Sequence, residues 1–224
     1  MAGEMPEKVA EVVLAVQAGA LGNWFTLIMI RLSDVGISQG LMKEMMMLPQ
    51  FPGVFQYAYY VENLEQSARS FAAILGAGPF FLARHHKTDQ FSYRGEPIEA
   101  DVSYAFGYAG EAQIQLIEQH DETASIYRDM YSHGSFGLHH VAKLVPDYEM
   151  AKSNLKAQGF ELACELYADG VWAGYFDTRS QLHCFTEIHS ITDPILTTFS
   201  RWKVAHQSFS PDVDDAIVER VAGS

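Results

Sequence analysis

The fold of this chain is decided by the stretch Gly137-Leu138-His139-His140-Val141-Ala142-Lys143-Leu144-Val145-Pro146-Asp147-Tyr148. Its apolar run is typical of a strand, and an aspartate in the place of Asp147 commonly precedes the first turn of a helix. The helical pattern that follows ends at Gly159, a residue type that often terminates helices. The stretch therefore predicts a strand that leads directly into a helix.

A second stretch with the same layout lies earlier in the chain, from 55 to 64. Gln56 takes the place of His140, and Asn63 takes the place of Asp147; both pairs are 84 positions apart. An internal match at a constant offset indicates a duplicated structural unit. We therefore expect two copies of one module.

Both copies predict the same order of elements, β-α-β-β-β. The helices are expected from Asn63 to Gly76 and from Asp147 to Gln158, because apolar residues recur there on one face. Besides the two runs already described, strands are predicted at 79–86, 101–108, 111–118, 160–167, 171–177 and 182–189, with a tight hairpin at Ala109-Gly110. Polar connections are expected at 93–97 and 120–135, and a tail helix is expected after 193, with Phe199, Trp202 and Ala205 at helical spacing.

The composition limits the classes of partner. The chain has 224 residues, which is enough for a large buried core, and its net charge of −13 repels phosphate backbones. We therefore expect no nucleic-acid partner and no anionic membrane partner. Cys164 and Cys184 lie in strand-like runs, so reduced core thiols are expected rather than a disulfide framework. This usage favours a cytoplasmic protein.

The first fifty residues do not belong to the duplication. Val12 to Ile30 carries no charge and approaches the length of a membrane span, but polar residues and glycines interrupt it. Three interpretations stay open: a membrane span, an apolar helix packed on the body or on a partner, and a wrongly assigned start. We expect residues 1–50 to be an apolar helical extension, 51–190 to hold the modules, at 54–118 and 137–189, and 191–224 to be a helical tail.

Four polar residues take matching places in the two copies. Gln56 and His140 come early in the first strand of each copy, and Gln115 and Glu187 lie in the last strand. Alternation puts Gln115 away from the helix-packed face and puts His139 on the face opposite His140, as a core histidine. Four such residues that converge from two copied sheets predict a metal site in a cleft.

These modules, with the runs 138–142 and 113–117, resemble the vicinal oxygen chelate superfamily over residues 54 to 190. That family includes glyoxalase I, methylmalonyl-CoA epimerase, extradiol dioxygenases and bleomycin-resistance proteins. The resemblance implies an α+β fold in which paired βαβββ modules form curved mixed sheets around a cleft. It also implies a divalent metal, Mg, Mn, Co, Ni or Zn, whose ligands would be Gln56, Gln115, His140 and Glu187. Many metal-bearing members have His in place of Gln56, and amide oxygens are weaker ligands that disfavour Zn²⁺.

The resemblance implies a metal-dependent isomerase, epimerase or lyase. Such an enzyme chelates vicinal substrate oxygens and stabilises an enediolate or enolate, and Glu187 would be the base that takes the proton. A metal-free cleft that sequesters a small molecule, as in bleomycin-resistance proteins, is the alternative. An extradiol dioxygenase is disfavoured, because its iron needs two histidines and a carboxylate.

The candidate substrate-binding residues are Tyr93, Arg94, Arg128 and Tyr104. In the family, loops carrying Tyr93, Arg94 and Arg128 border the cleft, and arginine there suits an anionic group. Exposed structural arginines and ordinary core tyrosines are the competing interpretations. Tyr127 belongs to the same loops, and Tyr57, Phe106 and Tyr108 could line an apolar pocket. We expect a small-molecule substrate, anionic if these arginines serve it, and a homodimer.

Overall fold

The computed structural model describes residues 53–132 and 134–219. The apolar segment from Val12 to Ile30 lies outside them, so its three interpretations stay open, and the domain limits stay predictions. Within the described residues, no helix is long and apolar enough to cross a membrane. Cys164 and Cys184 are buried and free, which confirms the prediction of reduced thiols.

The first module has the predicted order, with one insertion. Its elements are β1 (Gln56–Tyr60), α1 (Leu64–Leu75), β2 (Phe80–Ala83), the inserted hairpin β3 (Gln90–Tyr93) and β4 (Glu96–Pro97), and then β5 (Val102–Ala109) and β6 (Ala112–Gln119). A short helix α2 (Ile126–Met130) follows in the connection between modules. The N-cap of α2 is Ser125, whose hydroxyl accepts from two backbone N–H groups.

The second module repeats this order and continues into a long helix. Its elements are β7 (Gly137–Val145), α3 (Tyr148–Ala157), β8 (Leu162–Ala168), β9 (Val171–Phe176), the short helix α4 (Arg179–Leu182) and β10 (Phe185–Ser190). The helix α5 (Asp193–Ser208) and the edge strand β11 (Ile217–Glu219) complete the described chain.

The helix starts follow from the capping residues. Asn63 and Asp147 each accept a hydrogen bond from the backbone N–H three residues on, which satisfies a donor that the first turn leaves unpaired. Gly76 ends α1 with a left-handed backbone, which glycine adopts at little cost. These contacts confirm the predicted helices.

The strands of residues 53–132 and 134–219 all join one open mixed sheet, in the order β11-β2-β5-β6-β1-β7-β10-β9-β8-β3-β4. The modules meet at the antiparallel pair β1–β7, and each first strand is parallel to the last strand of its own module. Apart from the edge strands β11, β3 and β4, exchanging the modules converts one half of this order into the other. The predicted α+β fold of paired βαβββ modules is confirmed.

Each module buries one face of its sheet under its helix. Ile114 and Leu116 of β6 pack with Leu64 and Ala68 of α1, as alternation predicted. In the second module, Ile188 of β10 packs with the corresponding helix α3. The opposite face therefore remains for the polar residues and the cleft.

The prediction of a polar loop at 93–97 was wrong. Arg94 and Gly95 both have positive φ, and such a two-residue turn lets Tyr93 pair with Glu96 in a hairpin. Strand β3 then pairs with β8 of the second module. The first module thus contributes an edge hairpin to its copy.

Candidate functional site

Two rows of paired residues place the four candidate ligands around two alanines. In one row, Ala58 of β1 is paired with Gln115 on one side and with His140 on the other. In the next row, Ala142 of β7 is paired with Gln56 on one side and with Glu187 on the other.

The spacing of these rows lets the candidates converge. Ala58 and Ala142 are each two positions from a candidate on their own strand, so the side chains share a face. Neighbouring strands lie about 4.8 Å apart, so the two candidates in each row flank one small methyl group at a backbone separation of roughly 10 Å. Both alanines are fully buried. The long polar side chains can therefore reach over them toward a common centre.

His140 is held by its neighbour His139. His139 Nε2 lies 3.1 Å from the carbonyl oxygen of Ile126, which can only accept, so Nε2 carries the proton. Burial, above all, holds the pKa of His139 well below its usual range, so His139 is neutral. Its Nδ1 is then an acceptor, and it lies 2.9 Å from Nδ1 of His140. His140 therefore donates from Nδ1, and in the neutral form of its ring Nε2 is the nitrogen that carries the lone pair.

This contact was missed because of an irregularity in β7. Ala58 is paired with His140 but Tyr59 with Leu138, so His139 is an extra residue in the strand. Such a β-bulge redirects side chains and breaks the regular alternation. The prediction that His139 faces away from His140 was wrong for this reason, although His139 is a fully buried, hydrogen-bonded histidine as expected.

Glu187 faces the free nitrogen of His140. Glu187 Oε2 lies 2.8 Å from His140 Nε2, and both side chains are almost fully buried. The carboxylate lies off the direction that a hydrogen bond from Nε2 requires, and Nε2 has no other protein partner. Burial raises the pKa of Glu187, but His140, His189 and the Tyr175 hydroxyl outweigh it and keep the pKa below its ordinary value. In the neutral form of His140 two acceptor atoms lie 2.8 Å apart here, and either a proton or a metal ion between them would relieve the contact.

The two amide candidates also present unpaired acceptors. Gln56 Nε2 donates to Gln113 Oε1 at 2.5 Å, and Gln113 Nε2 donates to the Tyr108 hydroxyl at 3.3 Å. This chain orients the Gln56 amide and leaves its Oε1 unpaired; Oε1 of Gln115 is unpaired as well. Nearly all buried polar atoms in proteins have partners, so these oxygens indicate a ligand.

The candidates lie at the edge of a cavity of about 170 Å³. Gln56, Gln115 and Glu187 line it directly, while His140 contacts it through Glu187. The remaining lining comes from the concave strands, from Asp169 and from α5, and most of it is apolar or aromatic: Ala83, His86, Tyr104, Phe106, Leu166, Ala168, Val171, Ala173, Tyr175, His189, Pro194, Ile195, Thr198, Phe199 and Trp202.

Of the candidate substrate-binding residues, only Tyr104 lines this cavity. Arg94 pairs with Asp129 and Glu161, and its Nε donates to the Tyr93 hydroxyl at 3.1 Å. The side chain of Arg128 donates to the Asp121 carbonyl and to Glu122.

The other aromatic candidates divide between the core and the cavity. Tyr127 is fully buried and shares a hydroxyl–hydroxyl hydrogen bond of 2.9 Å with Tyr104. Tyr57 is partly exposed, Phe106 lines the cavity, and Tyr108 orients Gln113.

The donor set fits a divalent cation only if the amides take part. In the described part of the chain, no three His, Cys, Asp or Glu side chains converge on one point. His140 and Glu187 supply one imidazole and one carboxylate, and the unpaired oxygens of Gln56 and Gln115 raise the number of donors to four. Hard divalent ions accept such oxygen ligands.

Comparisons with known proteins match part of the chain. The family model described as Glyoxalase/Bleomycin resistance protein/Dioxygenase superfamily matches residues 55–176. Among curated proteins, none matches the sequence significantly. A methylmalonyl-CoA epimerase from Mycobacterium tuberculosis is similar at 17% identity and a TM-score of 0.46, over 65% of this chain and 91% of the epimerase. A variant of the Streptomyces coelicolor enzyme, in complex with 2-nitronate-propionyl-CoA, has 15% identity, coverage of 63% and 95%, and a TM-score of 0.44.

Proposed function

Because this chain belongs to the Glyoxalase/Bleomycin resistance protein/Dioxygenase superfamily, we propose that it is a metal-dependent isomerase, epimerase or lyase acting on a small oxygenated substrate. One observation carries this proposal: three buried acceptor atoms without partners belong to Gln56, Gln115 and His140, whose register places them in the same two rows as Glu187, and His140 Nε2 lies 2.8 Å from the Glu187 carboxylate. Leaving each such atom unpaired costs about 1–3 kcal/mol, and a cation would satisfy all of them together.

The residues that would hold the ion are His140 Nε2, Glu187 Oε2 and the amide oxygens of Gln56 and Gln115. Mg²⁺, Mn²⁺, Co²⁺ and Ni²⁺ suit this set, and Zn²⁺ suits it less well because of the two amides. When bound, a divalent ion supplies Lewis-acid polarisation of substrate oxygens. The single imidazole disfavours an Fe(II) dioxygenase, which needs a second histidine.

Glu187 is the proposed base. It lines the cavity, its lowered pKa keeps it ionised at neutral pH, and a carboxylate so placed can take a proton from a bound substrate. His140 lies next to the carboxylate, 2.8 Å from it, and the hydrogen bonds through His139 to the Ile126 carbonyl keep the His140 ring from turning.

A metal-free binding protein is the second candidate. A proton on His140 Nε2 would also relieve the contact with Glu187, and the aromatic walls of the cavity suit an apolar ligand. This alternative leaves the amide oxygens of Gln56 and Gln115 without partners unless the ligand itself donates to them. Metal uptake separates the two candidates.

The test is calorimetric titration of the chelator-treated protein with Mn²⁺ and Co²⁺, together with elemental analysis of the protein as purified. We expect one ion per chain for the wild type and a loss of binding in Glu187→Gln. Gln119→Ala is the matched control, since Gln119 is a buried glutamine that bonds to Asp121, Thr123 and Ser125 instead.

Two outcomes would contradict the metal-dependent enzyme. One is a wild type that takes up no metal above micromolar affinity; the other is a Glu187→Gln variant that titrates as the wild type does. The binding-protein candidate would then replace it. The homodimer and the cytoplasmic location stay predictions from the sequence, and sedimentation of the purified protein would test the first.

A further inference from the structure

One face of α5 forms a wall of the cavity next to the candidate ligands. The helix contributes Pro194, Ile195, Thr198, Phe199 and Trp202 to the lining, a spacing that places all of them on one side of a helix. These side chains cover part of the sheet face that carries the candidate ligands, and a cavity of about 170 Å³ remains between the helix and the sheet.

Trp202 is the largest element of this wall. Its ring stacks on Phe81 with centroids 5.5 Å apart and on Phe106 with centroids 5.1 Å apart, and it also packs against Phe199 at 5.6 Å. The Trp202 residue is only 6% exposed. Such stacked contacts hold the ring in one position, so the boundary of the cavity on this side is well defined.

Two polar side chains at the far end of α5 anchor the helix to the sheet. Lys203 Nζ donates to the Gly110 carbonyl at 2.6 Å and pairs with Glu111 at 2.9 Å. His206 Nδ1 donates to the Gly78 carbonyl at 2.7 Å, which leaves Nε2 to accept from the Gly110 N–H at 3.0 Å. The wall is thus fixed by directed bonds as well as by packing.

The charge of the lining argues against a multiply anionic substrate. Of the described residues that line the cavity, none is a lysine or an arginine, and two are acids, Asp169 and Glu187. Phosphate groups are recognised by arginine, lysine or clustered backbone donors. Arg94 and Arg128 belong to the loops that were expected to border the cleft. Their side chains are bound to acidic groups or to a backbone carbonyl instead.

We propose that α5, through Trp202 and Phe199, determines the substrate class: a small molecule with adjacent oxygens, a compact body and no phosphate. A cavity of about 150 Å³ holds one benzene molecule, with six non-hydrogen atoms, so a cavity of about 170 Å³ accepts about seven. This inference rests on the proposed function for the adjacent oxygens, while the size limit follows from the wall alone.

The experiment compares hydroxamates, which present two adjacent oxygens to a metal, on Co²⁺-loaded protein by calorimetry. We expect the wild type to bind acetohydroxamate at least tenfold more tightly than 2-naphthohydroxamate. Phosphoglycolohydroxamate should bind no more tightly than acetohydroxamate. In Trp202→Leu, the affinity for 2-naphthohydroxamate should rise at least tenfold, with acetohydroxamate changed less than threefold.

Trp172→Leu is the matched control, because Trp172 stacks on Tyr148 outside this cavity. Its preference between the two hydroxamates should equal that of the wild type. The inference is overturned if the wild type binds both hydroxamates equally, if the two tryptophan variants shift the preference alike, or if the phosphorylated probe binds best. If Trp202→Leu does not fold, the preference between the two hydroxamates is measured for Trp202→Phe and for the wild type instead.

A metal-free arm keeps this inference separate from the proposed function. If Co²⁺ does not bind, the proposed function fails, and ¹⁹F NMR with fluorobenzene and 2-fluoronaphthalene then tests the wall. We expect the wild type to broaden only the fluorobenzene signal and Trp202→Leu to broaden both. Equal broadening of both signals by the wild type contradicts the size limit.

Discussion

The two modules have the same strand register but contribute different chemistry to the site. In the first module Gln56 is paired with the residue two positions before Gln115, and in the second His140 is paired with the residue two positions before Glu187. The first module thus supplies two neutral amides, and the second supplies an imidazole and a carboxylate. The duplicated backbone therefore determines where the candidate ligands lie, while the residue types in each copy determine how strongly they bind a cation.

The support behind each donor differs in the same way. The His140 ring is oriented by His139 and, through it, by a backbone carbonyl. Gln56 is oriented by Gln113, whose partner is the Tyr108 hydroxyl. Burial raises the pKa of Tyr108 to about 12, so this hydroxyl stays protonated. Each module therefore has its own series of hydrogen bonds behind a candidate ligand. In the second module this series ends at a backbone carbonyl.

The largest expected effect comes from making the second module like the first. His140→Gln would leave three amides and one carboxylate, so we expect metal affinity to fall on the order of 100-fold, because an amide oxygen is a poorer donor than imidazole. Calorimetric titration with Co²⁺ measures it. An unchanged affinity would show that the modules contribute equally, contrary to the comparison.

A smaller loss of metal affinity is expected when His140 is kept and only its hydrogen-bond partner His139 is replaced. His139→Leu takes away the acceptor for the His140 Nδ1 proton, and such outer partners typically change metal affinity about 10- to 100-fold. His139→Gln should restore part of the affinity, since its amide oxygen can accept the same proton. His206→Leu is the control: it also removes two hydrogen bonds, but at the end of α5. A purely structural role for His139 predicts equal titrations for the two leucine variants.

The reverse exchange strengthens the first module. Gln56→His replaces an amide with an imidazole beside Ala142, and we expect metal affinity to rise about 10-fold. Gln119→His, at the buried end of β6, provides the comparison with a histidine placed elsewhere. The idea fails if both variants bind metal as the wild type does, or if Gln56→His binds it less tightly.

Much of the fold could be predicted because its signals are local. The caps at Asn63 and Asp147 and the run Gly137–Val145 specify their elements within a few residues of sequence. The matched offset between the copies then indicates how these elements combine. The hairpin β3–β4 was missed because its partner, β8, lies in the other module, and no local pattern reports that pairing.

The site was less predictable for the same physical reason. The four candidates follow from repeat position and alternation, but the His139 bulge depends on how β7 pairs with β1. The amphipathic spacing of Phe199 and Trp202 predicts a helix without saying which surface it covers. Arg94 lies in a turn whose geometry directs it to Asp129 and Glu161, which only the folded backbone reveals.

The smallest expected effect concerns the connection before the last strand, where the modules also differ. The first module uses a tight turn at Gly110, whereas the second inserts α4, whose Arg179 Nε donates to Asp177 at 2.9 Å. Arg179 lowers the pKa of Asp177 below the unfolded value of about 3.9. A carboxyl group whose pKa is lowered by folding stabilises the fold when the pH is above its pKa in the unfolded chain. This stabilisation is lost as the pH falls through the pKa in the folded chain.

Asp177→Asn should therefore lower the free energy of unfolding at pH 6 by under about 1 kcal/mol and by less at pH 3. Urea unfolding at both pH values measures this, with the exposed Asp212→Asn as control. An equal loss at pH 6 and pH 3 would mean that the α4 connection gains no stability from this charge.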